Sequence, residues 1–216
     1  MRSRLLDVLD EAERSAVLKA TRRRVFKRND VVFHDGDPGD TLHLIVKGHF
    51  AVRVTTPLGD VATLRVLGPG EHFGELAVLD AGPRNGSVVS LEQGETMALH
   101  RDVVAEFRAR IPKIDAVLTT ALVSEVRRLA EALVDALYVP AERRVWRRLR
   151  ELVDLYGVGD VPVAIPVTQD DVAQLAGTTR PTANRVLRAG EEKGVVKLAR
   201  SRIEVHDLAG LERLAR

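Results

Sequence analysis

The 216-residue chain contains no cysteine. That excludes a disulfide framework, a thiolate-held zinc site, an iron–sulfur cluster on its own thiolates and thiol catalysis. Long apolar runs are also missing: no window approaches the roughly 18 uncharged apolar residues of a membrane span. The N-terminal MRSRLLDVLDEAERSAVLKA is charged throughout, without the apolar stretch of a signal peptide. A cytoplasmic protein with no membrane contact is expected. No Ser–His–Asp order, P-loop or metal-ligand spacing occurs, so catalysis is not expected. The histidines His34, His43, His49, His72, His100 and His206 are scattered without a pairing pattern, which argues against a metal or haem ligand. Asp35, Asp37 and Asp40 lie around Gly36 and Gly39 but lack the closing glutamate of a calcium loop, so they read as a turn.

What is present suffices for one or two folded domains: 45% of residues are apolar, with no low-complexity tract. Net charge is only +2, but it is unevenly placed. Residues 1–139 carry 19 basic and 20 acidic side chains, whereas 140–216 carry 14 and 11. The positive C-terminal balance has the sign expected of a nucleic-acid partner.

Residues 3–20 read as an amphipathic helix bearing Leu5, Leu9, Ala12, Ala16 and Leu18. From Val25 the pattern turns to short β-type runs, VVF, LHLIV, FAVRV, VATLRVL, ELAVL, GSVVSL and TMALH. Glycines at 36, 48, 59, 70, 82 and 94 punctuate them every 11 or 12 residues. Such spacing indicates an all-β sandwich or barrel over residues 25–100. The basic run Arg22, Arg23, Arg24, Lys27 and Arg28 reads as a solvated strand entry. Residues 101–139 contain no glycine and read as helix, with Leu122, Val126, Leu129, Leu133 and Ala136 forming a narrow heptad seam flanked by charge. A helix of that kind either packs on its own domain or pairs with its twin, and the narrow, polar-flanked seam favours a homodimer. Pro140 ends it.

Beyond Pro140, AERRVWRRLRELVDLY reads as a helix closed by Gly157 and Gly159, and the prolines of VPVAIPV mark an edge strand or loop. Thr168 can cap a helix over residues 169–176, with Asp171 three residues on and Gly177 as its stop. Thr179 can cap a second helix over 180–193 that tolerates Pro181 in its first turn. Val172, Leu175, Ala176, Ala183, Val186 and Leu187 would join the two helices. VVKLARSRIEVHD then reads as a hairpin wing turning near Arg200 and Ser201. On the second helix Arg180, Asn184, Arg185 and Arg188 point outward, as required for reading base edges in a major groove. Gln169, Thr179 and Thr182 are placed to fix phosphates. An ordinary helical hairpin with a solvated arginine face has the same spacing.

Within the β region, GEHFGELAVLDAGPRNGSVV supplies backbone amides near Gly74, Leu76 and Gly86 and one arginine, Arg84. Amide donors and a guanidinium are the equipment for holding a phosphate, and Glu75 can accept from a sugar hydroxyl. A turn with an exposed arginine and a cap-like glutamate fits the same residues.

The β-roll glycine rhythm, the GEL…PR cassette, the long helix and TQDDVAQLAGTTRPTANRVLR occur in one order over nearly the whole chain. In this the chain resembles the cyclic-AMP receptor protein/FNR (Crp/Fnr) family of bacterial transcription regulators. The resemblance implies an α+β architecture in three parts. Residues 1–110 form an N-terminal double-stranded β-helix, or β-roll, of cyclic-nucleotide-binding type. Residues 111–139 form a dimerisation helix, and 140–216 a winged helix–turn–helix. It also implies cAMP as effector, a roughly palindromic double-stranded DNA operator, a homodimer and RNA polymerase as a partner. Residue by residue, Glu75 matches the ribose-binding position and Arg84 the one that neutralises the cyclic phosphate. Gly74 matches a backbone amide near the phosphate, and Val52 and Leu64 match apolar walls. Leu76 and Asn85 complete the cassette, and Arg180 and Arg185 match the base-reading arginines. Three departures stand out. Asn85 and Gly86 replace the usual Ser or Thr and Ala, no Thr–Ser pair occurs in residues 126–137, and Pro181 replaces a glutamate. The alternative is the same DNA-binding regulator acting without a ligand, or answering to a different small anion.

Overall fold

The computed structural model describes residues 5–157 and 161–216. They cluster into two units, one of residues up to Val54 with Val66–Leu129, the other of Thr55–Arg65 with Ala130–Arg216.

The first unit is built on α1 (Glu11–Lys19), β1 (Arg22–Phe26), β2 (Val31–Phe33), β3 (Thr41–Lys47), β4 (Phe50–Thr55), the end of β5 (Val61–Leu67), β6 (His72–Phe73), α2 (Glu75–Asp80), β7 (Ser87–Ser90), β8 (Gly94–His100) and α3 (Arg101–Arg110). Two four-stranded sheets, ordered β1-β8-β3-β6 and β2-β7-β4-β5, form the expected β-roll. Strand β3 shows how the sequence builds it. Because side chains alternate along a strand, Leu42 and Leu44 join Leu5, Leu6, Leu99, Val104, Phe107, Ile114 and Leu118 in one core. Ile45 faces the other way, into a second core with Phe26, Phe50, Leu67, Phe73 and Val88. His43 shares that second face.

The helix expected from residue 3 starts at Glu11 instead. Asp10 and Glu13 form a capping box, the Asp10 side chain accepting from the Glu13 amide while Glu13 accepts from the Asp10 amide. That fixes the helix start after the buried Leu5, Leu6 and Leu9. A second correction concerns ELAVL, which is not β-type but the short helix α2. A five-residue apolar run has no decisive period of its own, and Gly74, at φ 85°, turns the chain out of β6 into a helical turn. The helical stretch after residue 100 is two helices. Pro112 disfavours helical backbone at the residue before it, so Ile111 breaks α3 from α4 (Pro112–Tyr138), which is the long helix. On α4 only Ile114 and Leu118 are fully buried. Of the predicted seam, Leu122 is half-buried and the rest is exposed, with Val126 at 66% and Leu133 at 60%.

The second unit holds α5 (Ala141–Tyr156), β9 (Val163–Ile165), α6 (Gln169–Ala176), α7 (Arg180–Glu192), β10 (Val196–Ala199), β11 (Arg202–Val205) and α8 (Leu208–Ala215). Gly159 lies outside the described residues. The helix–turn–helix follows its capping residues. Thr168 and Asp171 form a capping box, Gly177 stops α6 at φ 57°, and Thr179 accepts from the Thr182 amide at the start of α7. Val172, Ala176, Ala183, Val186 and Leu187 are buried, as expected, while Leu175 is half-buried. The wing turns at Arg200 and Ser201, with Ala199 opposite Arg202, and β9 adds an outer strand on β11. The only tryptophan, Trp146 on α5, is buried against Gly190 of α7.

Candidate functional site

The β-roll brings Gly74, Glu75 and Arg84 together. Arg84 lies in the link between α2 and β7. Its backbone is fixed from both sides, since its amide donates to the Asp37 carbonyl and its carbonyl accepts from the Gly36 amide, both at 2.9 Å. The turn expected from Asp35, Asp37 and Asp40 therefore frames the arginine, and the Asp37 carboxylate closes it by accepting from the His34 amide at 2.7 Å.

The Arg84 side chain is not exposed on a turn; the residue is 3% exposed. Its Nη1 donates to the Gly74 carbonyl at 3.1 Å and its Nη2 to Thr41 Oγ1 at 2.9 Å. The guanidinium carbon lies 4.0 Å from the centre of the Phe33 ring, a cation–π contact. Asp40, largely solvated, is the carboxylate it reaches, at 3.5 Å. Burial holds the Arg84 pKa below its ordinary value, against the charges of Asp40, Asp37 and Glu75. Nε is buried and has no hydrogen-bond partner among the described residues. Only glycine fits at 74: a Cβ there would sit 2.7 Å from Arg84 Nη1 and 2.8 Å from the Thr41 carbonyl. Glu75, Leu76 and Val52 are half-buried, whereas Asn85 and Leu64 are exposed. Val52 is paired with Val88 across β4 and β7.

Sequence reasoning missed Phe33, Asp40, Thr41 and His43. Nothing local marks them, because β3 and the 33–40 turn meet Arg84 only through the tertiary fold. His43, 4% exposed, stacks on Phe73 at 4.9 Å. Burial first, and then the charges of Arg84 and Arg24, push its pKa from 6.5 down to about 3. The folded state therefore keeps His43 neutral while the unfolded chain takes up a proton as pH falls through 6.5. The stability this group supports is complete above pH 6.5 and declines below it, by about 2 kcal/mol between pH 7 and pH 5. Urea unfolding at the two pH values should show this loss in the wild type, and it should be absent from the difference between pH values in His43→Phe.

In the second unit, Arg180 and Arg185 are exposed on α7, and neither has an ion pair or hydrogen bond among the described residues. Arg188, also exposed, is instead paired with Glu191 at 3.0 Å, and Glu191 further accepts from the wing amide of Leu198 at 2.8 Å. Asn184, Thr182 and Gln169 are half-buried, and the Thr182 hydroxyl meets that of Thr179 at 3.0 Å. Arg144, not singled out from sequence, orients the motif. Its Nε and Nη2 donate to the carbonyls of Ala176 and Gly177 at the end of α6, at 2.8 and 2.9 Å, and its Nη1 to the Val139 carbonyl at 2.7 Å. Arg147 and Arg148 of α5 both reach Asp135 of α4.

Among the described residues no three His, Asp or Glu side chains converge as metal ligands would, and no helix is long and apolar enough to cross a membrane. Residues 23–110 match the cyclic nucleotide-binding domain family, and residues 127–214 match the Crp-like helix-turn-helix domain family. The chain is 35% identical over 213 residues to the cyclic AMP receptor protein of Thermus thermophilus, covering 99% of this chain and 97% of that one. It is 31% identical over 194 residues to the CRP-like cAMP-activated global transcriptional regulator of Mycobacterium tuberculosis, covering 88% and 87%. The crystal structure of the Thermus thermophilus catabolite activator protein is similar at a TM-score of 0.58 and 34% identity, over 99% of this chain and 98% of that one. With a cyclic-nucleotide-type β-roll followed by a long helix and a winged helix–turn–helix, the chain belongs to the Crp/Fnr family of transcription regulators.

Proposed function

We propose that two copies of this chain form a cytoplasmic dimer that binds a roughly palindromic operator in double-stranded DNA, and that cAMP held in the β-roll sets its affinity for that site. The observation that carries the ligand half is Arg84: a buried guanidinium hydrogen-bonded to neutral acceptors, with the largely solvated Asp40 carboxylate at 3.5 Å and one N–H without a partner among the described residues. A cyclic phosphate gives that N–H a charged acceptor and can replace the Gly74 carbonyl on Nη1. Glu75 accepts from the ribose 2′-hydroxyl, Asn85 donates to the phosphate, and Val52 and Leu76 line the apolar side. The dimer half rests on α4, whose apolar seam from Val126 to Leu133 is exposed among the described residues. Ligand binding selects one packing of that seam, and the packing sets the separation of the two recognition helices. RNA polymerase is the partner at the promoter.

Footprinting across a protein titration, with and without cAMP, tests the coupling. cAMP should lower the protein concentration needed for protection, and identical footprints at every concentration would exclude control by this ligand. A second reading is favoured by the absence of any Ser or Thr from residues 126–137, which leaves no hydroxyl there for a purine edge. In that case the regulator acts without a ligand or Arg84 takes a different small anion, and parallel titrations that show binding of neither cAMP nor cGMP would favour it.

On the DNA side, Arg180, exposed and unpaired among the described residues, is proposed to read guanine through a bidentate contact. Arg180→Ala should weaken binding to the specific site by about 1–3 kcal/mol, with a much smaller effect on random DNA in the same mobility-shift assay. Equal losses on both would make Arg180 a phosphate contact.

A further inference from the structure

His43 sits on the sandwich-facing side of β3, and both of its ring nitrogens are engaged, Nδ1 with Thr96 Oγ1 at 3.0 Å and Nε2 with Thr41 Oγ1 at 3.2 Å. The Thr41 hydroxyl has a single proton, and it is directed to Asp40 Oδ1 at 3.1 Å. The same oxygen accepts from Arg84 Nη2 at 2.9 Å. A hydroxyl has one donor and two acceptor positions, a guanidinium only donates and a carboxylate only accepts. With the Thr41 proton on Asp40, one lone pair remains for His43, and the ring proton then belongs on Nε2. Nδ1 is then bare and accepts from the fully buried Thr96 hydroxyl. The result is a directed chain of hydrogen bonds: Thr96 to His43, His43 to Thr41, and Thr41 to Asp40, with Arg84 joining at Thr41.

We infer that His43 is a positioning residue for the ligand arginine: through its neutral Nε2–H tautomer it fixes the Thr41 hydroxyl, and Thr41 fixes the Arg84 fork. The inference rests on the anion-binding reading of Arg84. Neutral acceptors orient the guanidinium, and the carboxylate in its reach, Asp40 at 3.5 Å, is largely solvated, so the charge stays available to an anion. The Gly74 carbonyl and Thr41 hold the two terminal nitrogens, and Phe33 supports the face. A charged histidine one hydroxyl away would oppose the guanidinium. A ring that lacks nitrogens would leave Thr41 free to rotate away from it.

Three variants separate positioning from packing. His43→Phe retains a ring to stack on Phe73 and loses both hydrogen bonds. His43→Gln retains an N–H near the Nε2 position, and Thr41→Ser retains the hydroxyl. Calorimetric titration with cAMP should give an affinity about tenfold weaker for His43→Phe, and close to wild type for His43→Gln and Thr41→Ser. An affinity in His43→Phe equal to that of wild type, or equal losses in His43→Phe and His43→Gln, would overturn the inference. Nitrogen-15 spectra decide it independently of nucleotide. In the wild type at neutral pH, His43 should show a protonated Nε2 and a bare Nδ1, and the Arg84 guanidinium should show restricted rotation that His43→Phe releases. A protonated Nδ1, or Arg84 rotation unchanged in the variant, would also overturn it. A wild type that binds no cAMP but keeps this spectroscopic pattern would refute the cAMP reading and leave the positioning role standing.

Discussion

Arg84→Ala is expected to give no measurable heat of cAMP binding at concentrations that saturate the wild type. The side chain supplies a buried positive charge, and its Nε is a buried donor without a partner among the described residues. Each hydrogen bond from a charged donor contributes about 1.5–3 kcal/mol, so losing two contacts to a phosphate weakens binding at least about a hundredfold. The fold should survive, because the bonds that close the loop come from the Arg84 backbone to Gly36 and Asp37. A modest drop in thermal midpoint should accompany the lost contacts to Thr41, Gly74 and Phe33. Arg84→Lys should recover little, since a single ammonium cannot span Gly74 and Thr41 as the planar fork does. Calorimetry on the two variants, with circular dichroism as a check on folding, decides the matter. Undiminished affinity in Arg84→Ala would place the anion elsewhere.

The largest effect on stability is expected from Gly190→Val. A Cβ at Gly190 would lie 2.3 Å from Trp146 Cη2 and 3.0 Å from Cζ2, and the indole is buried, so it has no room to retreat. Overpacking of this kind costs about 3 kcal/mol, and α5 and α7 can relieve it only by separating. Specific DNA binding should fall with it, because α7 carries Arg180 and Arg185. Trp146 is the sole tryptophan, so its emission should shift to the red as the contact opens. Nucleotide binding should persist, since Arg84 and its partners belong to the other unit. A variant with wild-type emission and melting temperature would show that the helices accommodate the side chain.

The helix–turn–helix was the part most legible in the sequence, because its limits are set by local chemistry. Thr168 with Asp171, Gly177 at positive φ and Thr179 each act within one helical turn, so the sequence states them directly. The same is true of the wing, where two residues join β10 to β11. Elements set by distant contacts were harder. ELAVL carries too few residues to reveal a period, and its helical form depends on Gly74 lying against Arg84. The start of α1 was misplaced because Leu5 and Leu9 continue the apolar pattern of the helix without belonging to it. In the β-roll the cassette residues were visible as a cluster of types. The groups that hold Arg84 were not, since Phe33, Asp40 and Thr41 lie more than forty residues before it in the chain and meet it only once the sheets have formed.

Arg144 has a consequence for how DNA affinity responds to salt. Its three acceptors are backbone carbonyls, those of Val139, Ala176 and Gly177, and short contacts between a guanidinium and neutral dipoles are screened far less than exposed ion pairs. Contacts to DNA phosphates are the reverse case, since their strength comes from counterion release and declines steeply as ionic strength rises. The reading head therefore keeps its shape over a range of salt in which its grip on the duplex weakens. The slope of log affinity against log salt then counts phosphates neutralised, undistorted by loosening of the motif, and the organism's ionic conditions act on occupancy of the operator without altering what is read there.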